Sequence, residues 1–296
     1  MKSHTTRRTL LKQIAAGSLA VAGLPTMQAL ATGINDHKLK GNINHSVCAW
    51  TFNHLSLEEL CGAVKSLGLK AIDLASPKEW PVLKKHGIHC SMCYTAGDIS
   101  LTDGWNNKTL HPKLIKEFSD AIPLVAAAGY QNLICFSGNR HGMDDETGLK
   151  NCTEGLKQII ALAEKHGVII QMELFNSKVD HKDYMCDKSA WGIELCKRIG
   201  SPNFKLLYDI YHMQINEGDV IRTIRDNHEY FGHYHTAGVP GRNEIDESQE
   251  LYYPAIMKAI LDTGYKGYVA QEFISTGKTN EDKLAALNKA VLICDV

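Results

Sequence analysis

The chain has 296 residues, of which 44% are hydrophobic and 22% are charged, enough apolar sequence to build one large globular domain. Lysine and arginine (32 residues) almost balance aspartate and glutamate (33 residues), and without a basic surplus a nucleic-acid partner is not expected. The nine cysteines include one C-x-x-C pair, Cys90 and Cys93. Alternation along a strand is expected to place these two thiols on opposite faces, which favours buried packing over zinc or redox chemistry.

The N-terminal segment, residues 1–31, has the pattern of a twin-arginine export signal. Arg7 and Arg8 precede an apolar stretch at residues 14–24, and Ala29-Leu30-Ala31 offers a cleavage site. The apolar stretch is too short to span a bilayer comfortably, and such a signal is an address rather than an anchor. We therefore expect a periplasmic or otherwise exported protein that does not stay in the membrane after cleavage. The alternative is an ordinary amphipathic N-terminal helix.

After residue 40 the sequence alternates between short apolar runs and segments with helical periodicity. The runs predict strands at residues 45–50, 70–74, 88–94, 131–136, 168–173, 204–209, 230–236 and 267–272. The periodic segments predict helices at residues 56–67, 77–86, 112–128, 149–166, 187 or 189 to 199, 219–227, 251–261 and 281–291. Several helices end at a glycine just before a strand, as at Gly87 and Gly167. This order is typical of parallel βαβ units.

Two α/β architectures fit eight such units. A doubly wound open sheet is expected to carry a glycine-rich phosphate turn after an early strand, and this sequence has none there. A (β/α)8 TIM barrel of roughly 250 residues fits the length that remains after the N-terminal segment. No low-complexity linker divides the rest of the chain. We therefore predict a single barrel domain at residues 42–296.

Four consecutive predicted strands end in side chains that can bind a metal ion: Glu173, Asp209, His235 and Glu272. A barrel gathers the carboxyl ends of its strands at one face, where its active site lies. Taken singly, either glutamate fits a salt bridge, the histidine fits a core position and the aspartate fits a helix cap. Their shared position at consecutive strand ends favours a joint site instead.

Three carboxylates and one imidazole form a site dominated by oxygen, which favours Mn²⁺, Mg²⁺ or Co²⁺. Such an ion polarises a substrate carbonyl and hydroxyl. This suits removal of a proton beside a carbonyl, with the ion stabilising the enediolate that forms. Glu173 and Glu272 are the candidate base and acid, each also a candidate ligand.

Four further side chains are candidate substrate contacts. His212 follows Asp209 by three residues, and Arg242 lies in the loop after residue 236 with a guanidinium fork suited to a carboxylate or a pair of hydroxyls. Trp50 and Tyr94 are the last residues of two early predicted strands and are candidate pocket walls. The alternatives are a structural histidine, a surface salt bridge and ordinary apolar packing.

Five short motifs resemble the hydroxypyruvate isomerase group of the xylose-isomerase-like TIM barrels. They are Met172-Glu-Leu-Phe-Asn176, Tyr208-Asp-Ile-Tyr-His-Met213, Gly232-His-Tyr-His235, Val239-Pro-Gly-Arg242 and Gln271-Glu-Phe273. The resemblance spans about residues 44 to 293. It implies a divalent ion held by Glu173, Asp209, His235 and Glu272, with the two glutamates as the acid/base pair and with His212 and Arg242 at the substrate. Where hydroxypyruvate isomerases tend to carry glutamine, this chain has His235, as the related ketose 3-epimerases do.

These observations together predict a metal-dependent isomerase or epimerase that acts on a small keto sugar or hydroxy-keto acid. A metal-dependent sugar lyase or dehydratase remains an alternative, because it begins with the same proton abstraction. A periplasmic sugar-binding barrel without catalysis is the alternative outside enzymes. Assembly into a homo-oligomer is left open.

Overall fold

The computed structural model of the chain describes residues 38–97 and 99–296. The predicted export signal at residues 1–31 lies outside these residues and stays a prediction. Among the described residues, no helix combines the length and the apolar character that crossing a membrane requires.

The described residues contain one sheet of eight parallel strands. In chain order the strands are β1 (Asn44–Cys48), β2 (Ala71–Asp73), β3 (His89–Cys90), β4 (Asn132–Cys135), β5 (Ile169–Glu173), β6 (Phe204–Asp209), β7 (Phe231–Thr236) and β8 (Tyr268–Gln271). Their spatial order is β3-β2-β1-β8-β7-β6-β5-β4. Just beyond β3, the Cys93 amide donates to the Asn132 carbonyl (2.9 Å), and the Ile134 amide donates to the Cys93 carbonyl (3.0 Å). These bonds join the two outer strands, and the predicted (β/α)8 TIM barrel is confirmed.

Nine α-helices occur in the same part of the chain. They are α1 (Leu57–Ser66), α2 (Trp80–His86), α3 (His111–Ala127), α4 (Asp145–His166), α5 (Ser189–Ile199), α6 (Ile210–Asn216), α7 (Val220–Asn227), α8 (Tyr253–Asp262) and α9 (Asn280–Cys294). Eight of them correspond to the predicted helices. The ninth, α6, is a two-turn helix directly after β6 that the sequence reasoning did not predict.

Local sequence signals explain where several helices begin and end. Ser56 and Glu59 form a reciprocal capping box at the start of α1, which satisfies two backbone amides that the first turn leaves free. Gly87 and Gly167 end α2 and α4 with φ of 68° and 66°, a conformation that glycine adopts without steric cost. From these glycines the chain enters β3 and β5. Because all the strands are parallel, the loops that follow them collect at the opposite face of the barrel.

The prediction that the thiols of Cys90 and Cys93 point to opposite faces is wrong. The strand β3 ends at Cys90, so alternation does not extend to Cys93, and the two sulfurs lie 3.5 Å apart. Both cysteines are free and buried. Burial raises the pKa of the Cys93 thiol, which keeps it protonated and consistent with a packing role.

Candidate metal centre

The structure brings the four side chains proposed as metal ligands together at one end of the barrel. Glu173 ends β5, Asp209 ends β6, His235 lies in β7 and Glu272 directly follows β8. One donor atom from each lies within 4.8 Å of the others. All four are buried, with at most 3% of any residue exposed to solvent.

The imidazole of His235 connects this cluster to a carboxylate behind it. Its Nδ1 atom lies 3.2 Å from Glu173 Oε1 and 3.0 Å from Glu272 Oε2. Its Nε2 atom lies 2.8 Å from Asp73 Oδ2. Asp73 ends β2, so its carboxylate crosses the barrel interior to reach β7.

Asp73 contacts the candidate metal centre, although the sequence reasoning did not include it among the site residues. Its carboxylate also accepts from Ser91 Oγ (2.5 Å) and lies 3.1 Å from His233 Nε2. Burial alone would raise the pKa of Asp73, but His233 and His235 together hold it below its usual value. An ionised carboxylate can only accept hydrogen bonds, so the His235 Nε2 atom carries a proton. A carboxyl at the end of a strand was the signal already used for the other ligands, and β2 shows it too.

The three carboxylates of the cluster differ in protonation. Burial, followed by the repulsion of Glu272, raises the pKa of Asp209 to about 8. Burial likewise raises the pKa of Glu173 to about 7, although its contact with His235 opposes the shift. Burial acts in the same direction on Glu272, but His235 and Arg242 hold its pKa well below the usual value. Glu272 is therefore ionised, whereas Glu173 gains or loses its proton near neutral pH.

The donor set fits a divalent cation. With Nε2 protonated toward Asp73, the Nδ1 lone pair of His235 faces carboxylate oxygens of Glu173 and Glu272, and Glu173 Oε1 has no hydrogen-bond partner. Burial lowers the pKa of His235, but Glu272 and the hydrogen bond to Asp73 raise it well above its ordinary value. A proton on Nδ1 then occupies the position where an ion bound by one nitrogen and several oxygens would lie.

Arg242 and Trp50 converge on Glu272. Trp50 Nε1 donates to Glu272 Oε1 (2.8 Å), and Arg242 Nη2 donates to Oε2 (2.5 Å). The guanidinium carbon of Arg242 lies 5.2 Å from the ring centre of Trp50 and 5.5 Å from that of Tyr211. This stacking holds the arginine fork rigidly, and its buried Nε atom has no hydrogen-bond partner. The structure thus places both residues beside the cluster.

Asp209 and His212 share the turn between β6 and α6. Asp209 Oδ1 accepts from the His212 backbone amide (3.1 Å), which caps α6. Its second oxygen, Oδ2, lies 3.6 Å from His212 Nε2 and 3.8 Å from Arg242 Nη2. The helix cap and the ligand position are therefore compatible, because each uses a different oxygen. Burial lowers the pKa of the His212 imidazole well below its ordinary value.

Tyr94 lies in the wall of a cavity of about 360 Å³. Phe136, Ser76, Lys78 and Thr95 also line this cavity. Burial and the nearby carboxylates of Glu173 and Glu272 raise the pKa of the Tyr94 hydroxyl, so it is a neutral hydrogen-bonding group. None of the four clustered donors lines this cavity.

A second feature that the sequence reasoning missed is the network behind His212. Asn176 Nδ2 lies 2.7 Å from His212 Nδ1 and 2.6 Å from Asp180 Oδ2. Tyr211 donates its hydroxyl to the same Asp180 oxygen (2.9 Å). Asn176 closes the Glu-Leu-Phe-Asn motif, but its contact with α6 depends on the packing of two separate loops.

The chain matches one protein-family model and is similar to several named proteins. The family model described as xylose isomerase-like TIM barrel matches residues 63–291. A human protein provisionally named hydroxypyruvate isomerase is 30% identical over 128 residues, which cover 43% of this chain and 46% of that protein. The chain thus aligns with less than half the length of that relative. The 2-oxo-tetronate isomerase of Pectobacterium atrosepticum is 24% identical over 229 residues, covering 74% of this chain and 87% of that protein.

Solved structures agree on the fold. The D-psicose 3-epimerase of Clostridium cellulolyticum H10, solved with D-tagatose, superposes with a TM-score of 0.69. The match covers 86% of this chain and 100% of that chain, at 16% sequence identity.

Proposed function

Because the chain belongs to the xylose isomerase-like TIM barrel family, we propose that it is a divalent-metal-dependent isomerase or epimerase acting on a small keto sugar or hydroxy-keto acid. The observation that carries this proposal is the buried cluster of Glu173, Asp209, His235 and Glu272, whose donor atoms lie within 4.8 Å of one another. Mn²⁺, Mg²⁺ or Co²⁺ suits this donor set.

When bound, the ion supplies Lewis-acid polarisation of a substrate carbonyl and an adjacent hydroxyl. The chain's own residues then move the proton. Glu173 is buried and its Oε1 atom has no hydrogen-bond partner within the described residues, so this carboxylate is the candidate that exchanges a proton with the substrate. Glu272 is ionised and held by Trp50 and Arg242, so it serves as the second carboxylate on a fixed position.

Two polar atoms without partners point to the substrate contacts. Arg242 Nε and His212 Nε2 are buried and make no hydrogen bond within the described part of the chain. Buried polar atoms of this kind are costly unless something else pairs with them. A substrate hydroxyl or carboxylate beside Asp209 would pair with both. Trp50 contacts Glu272 and would pack against an apolar face of the substrate. Tyr94 lines a separate cavity, and its contact with the substrate stays a prediction.

The relatives narrow the substrate class to small keto compounds. Their names refer to hydroxypyruvate, 2-oxo-tetronate and D-psicose, which all carry a carbonyl beside a hydroxyl-bearing carbon. Interconversion of such compounds needs one proton removed and one returned, whether the product is an isomer or an epimer.

The test combines metal analysis with isotope exchange. Purified protein is analysed for stoichiometric metal, then incubated in D2O with hydroxypyruvate, 2-oxo-tetronate and a panel of ketoses. We expect metal-dependent deuterium incorporation at the carbon beside the carbonyl, and its loss in Glu173→Gln. Elimination of water or cleavage of the substrate would instead favour the lyase or dehydratase. Ligand binding without metal dependence or exchange would favour a sugar-binding barrel and refute the proposal.

We also propose that residues 1–31 direct export by the twin-arginine route, which would deliver a folded and metal-loaded protein to the periplasm. The support is the Arg7-Arg8 pair followed by the apolar stretch and Ala29-Leu30-Ala31. Fractionation of cells that express the full chain should yield a periplasmic product cleaved after Ala31. The doubly substituted Arg7→Lys, Arg8→Lys chain should stay uncleaved in the cytoplasm; equal export of both would overturn this proposal.

A further inference from the structure

The side-chain amide of Asn176 has only one orientation that fits its surroundings. Its Oδ1 atom lies 3.0 Å from the backbone nitrogen of Val179 and 2.9 Å from that of Asp180. Backbone N–H groups only donate, so the atom they face must be the oxygen. The NH2 group therefore points the other way, toward His212 Nδ1 (2.7 Å) and Asp180 Oδ2 (2.6 Å).

This orientation fixes the protonation of the His212 ring. An amide NH2 group is a donor only, so the ring atom it approaches must accept. His212 Nδ1 therefore carries no proton, and a neutral imidazole keeps its single proton on Nε2. A charged ring is excluded in this arrangement because its Nδ1–H would face the amide hydrogens of Asn176.

The other hydrogen bonds of the network agree with this orientation of Asn176. The second amide hydrogen of Asn176 goes to Asp180 Oδ2, which also accepts from the Tyr211 hydroxyl (2.9 Å). The rings of Phe175 and Tyr211 pack edge-on against His212, with ring centres 4.9 and 5.0 Å away. The imidazole is thus held against a ring flip that would exchange its two nitrogens.

The proton on Nε2 faces the candidate metal centre. Asp209 Oδ2 lies 3.6 Å from this atom, which is beyond hydrogen-bonding distance. His212 Nε2 is buried and makes no hydrogen bond within the described residues. A fixed donor aimed at an oxygen that gains negative charge during a reaction stabilises that charge without reorganisation.

We propose that Asn176 is a positioning residue that holds His212 as a neutral donor, with its proton on Nε2 directed at a substrate oxygen beside Asp209. The identity of that oxygen rests on the proposed function, but the position of the proton does not. Asparagine suits this task because its NH2 group donates to Nδ1. Aspartate has the same shape but would accept a hydrogen bond from Nδ1, and the ring proton would then lie on Nδ1 instead of Nε2. It would also place a second carboxylate beside Asp180.

The test is nuclear magnetic resonance of the full chain labelled with [15N]histidine, using two-bond correlations that distinguish a protonated from a bare ring nitrogen. The His212 signals are those missing from His212→Gln. We expect a protonated Nε2 and a bare Nδ1 in the wild type, and a protonated Nδ1 in Asn176→Asp. The matched control is Asn151→Asp, a buried asparagine whose amide donates to the Asn106 carbonyl (2.8 Å) away from His212; it should keep the wild-type signals.

Activity provides the second readout. Removing one aligned donor typically costs about 10²–10³-fold in kcat, and we expect Asn176→Asp to show such a loss in substrate deuterium exchange with its metal content retained. A protonated Nδ1 in the wild type, or an unchanged ring in Asn176→Asp, would overturn the inference. A proton moved to Nδ1 in Asn176→Asp with unchanged deuterium exchange would also overturn it.

If the aspartate variant does not fold, Asn176→Ala should show His212 protonated on Nδ1 in some molecules and on Nε2 in others. An unchanged His212 signal in that variant would refute the positioning role of Asn176. Absence of exchange in the wild type would count against the proposed function only, since the ring protonation is measured without substrate.

Discussion

Replacement of Asp73 by asparagine should weaken metal binding although Asp73 is not itself one of the four clustered donors. The carboxylate accepts hydrogen bonds from His235 Nε2 (2.8 Å) and Ser91 Oγ (2.5 Å), and it lies 3.1 Å from His233 Nε2. Asparagine has the same shape but replaces one oxygen with an NH2 group, which cannot accept. At least one of these donors then faces the NH2 group, and the hydrogen-bonding shell that holds His235 in its Nε2–H form is disrupted.

The size of the effect follows from the bonds lost. A hydrogen bond to a charged group contributes about 1.5–3 kcal/mol to stability, so Asp73→Asn should unfold more easily by about that amount. Loss of a partner that orients a metal-binding histidine typically costs about 10–100-fold in metal affinity, equivalent to about 1.4–2.8 kcal/mol. Calorimetric titration of the metal-free protein with Mn²⁺ measures the affinity, and urea unfolding measures the stability.

A matched control separates the two effects. Asp295 is another buried carboxylate, 3.6 Å from His45 Nε2 and 2.6 Å from the Lys40 backbone nitrogen, and it touches none of the four clustered donors. Asp295→Asn should lose stability but keep wild-type Mn²⁺ affinity. If folded Asp73→Asn binds Mn²⁺ as tightly as the wild type, the orienting role assigned to Asp73 is wrong.

Three further outcomes are expected. Asp209→Asn should keep the cap of α6, since asparagine caps about as well as aspartate, yet lose stoichiometric metal and turnover; elemental analysis that finds full metal would contradict this. Metal affinity should rise with pH through 7 and 8, because binding displaces protons from Glu173 (pKa about 7) and Asp209 (pKa about 8); titrations at several pH values that show a flat affinity would contradict it. Arg242→Lys should lower kcat/KM about tenfold or more, since a charge-assisted hydrogen bond is worth about 1.5–3 kcal/mol and about 1.4 kcal/mol is tenfold, whereas exposed Arg222→Lys should not.

The barrel and the convergence of Glu173, Asp209, His235 and Glu272 could be predicted from the sequence because both depend on local patterns. A strand shows as a short apolar run, and a parallel barrel places every strand's carboxyl end at one face. Knowing where the strands end therefore suffices to know which side chains meet. The helices that end at glycine before a strand made those ends easy to place.

Asp73 shows the same strand-end signal, but its partner could not be predicted, since the contact with His235 crosses the barrel. The contact of Asn176 with His212 depends on how two separate loops pack. In the sheet, β2 and β7 are separated by β1 and β8, so the contact between Asp73 and His235 passes through the interior. Sequence spacing carries no information about such a contact. The short helix α6 was missed for a related reason: its seven residues are too few for a periodic pattern.

The two histidines of the centre show why the identity of each partner matters. His235 faces the ionised carboxylate of Asp73, which accepts a hydrogen bond from Nε2–H and so directs Nδ1 toward the cation site. His212 faces the amide of Asn176, which donates to Nδ1 and leaves the proton on Nε2 for a substrate oxygen. One side-chain type thus serves as a ligand in one place and as a donor in the other. The exchanges Asp73→Asn and Asn176→Asp conserve shape and invert these two roles, so they should damage metal binding and substrate turnover separately.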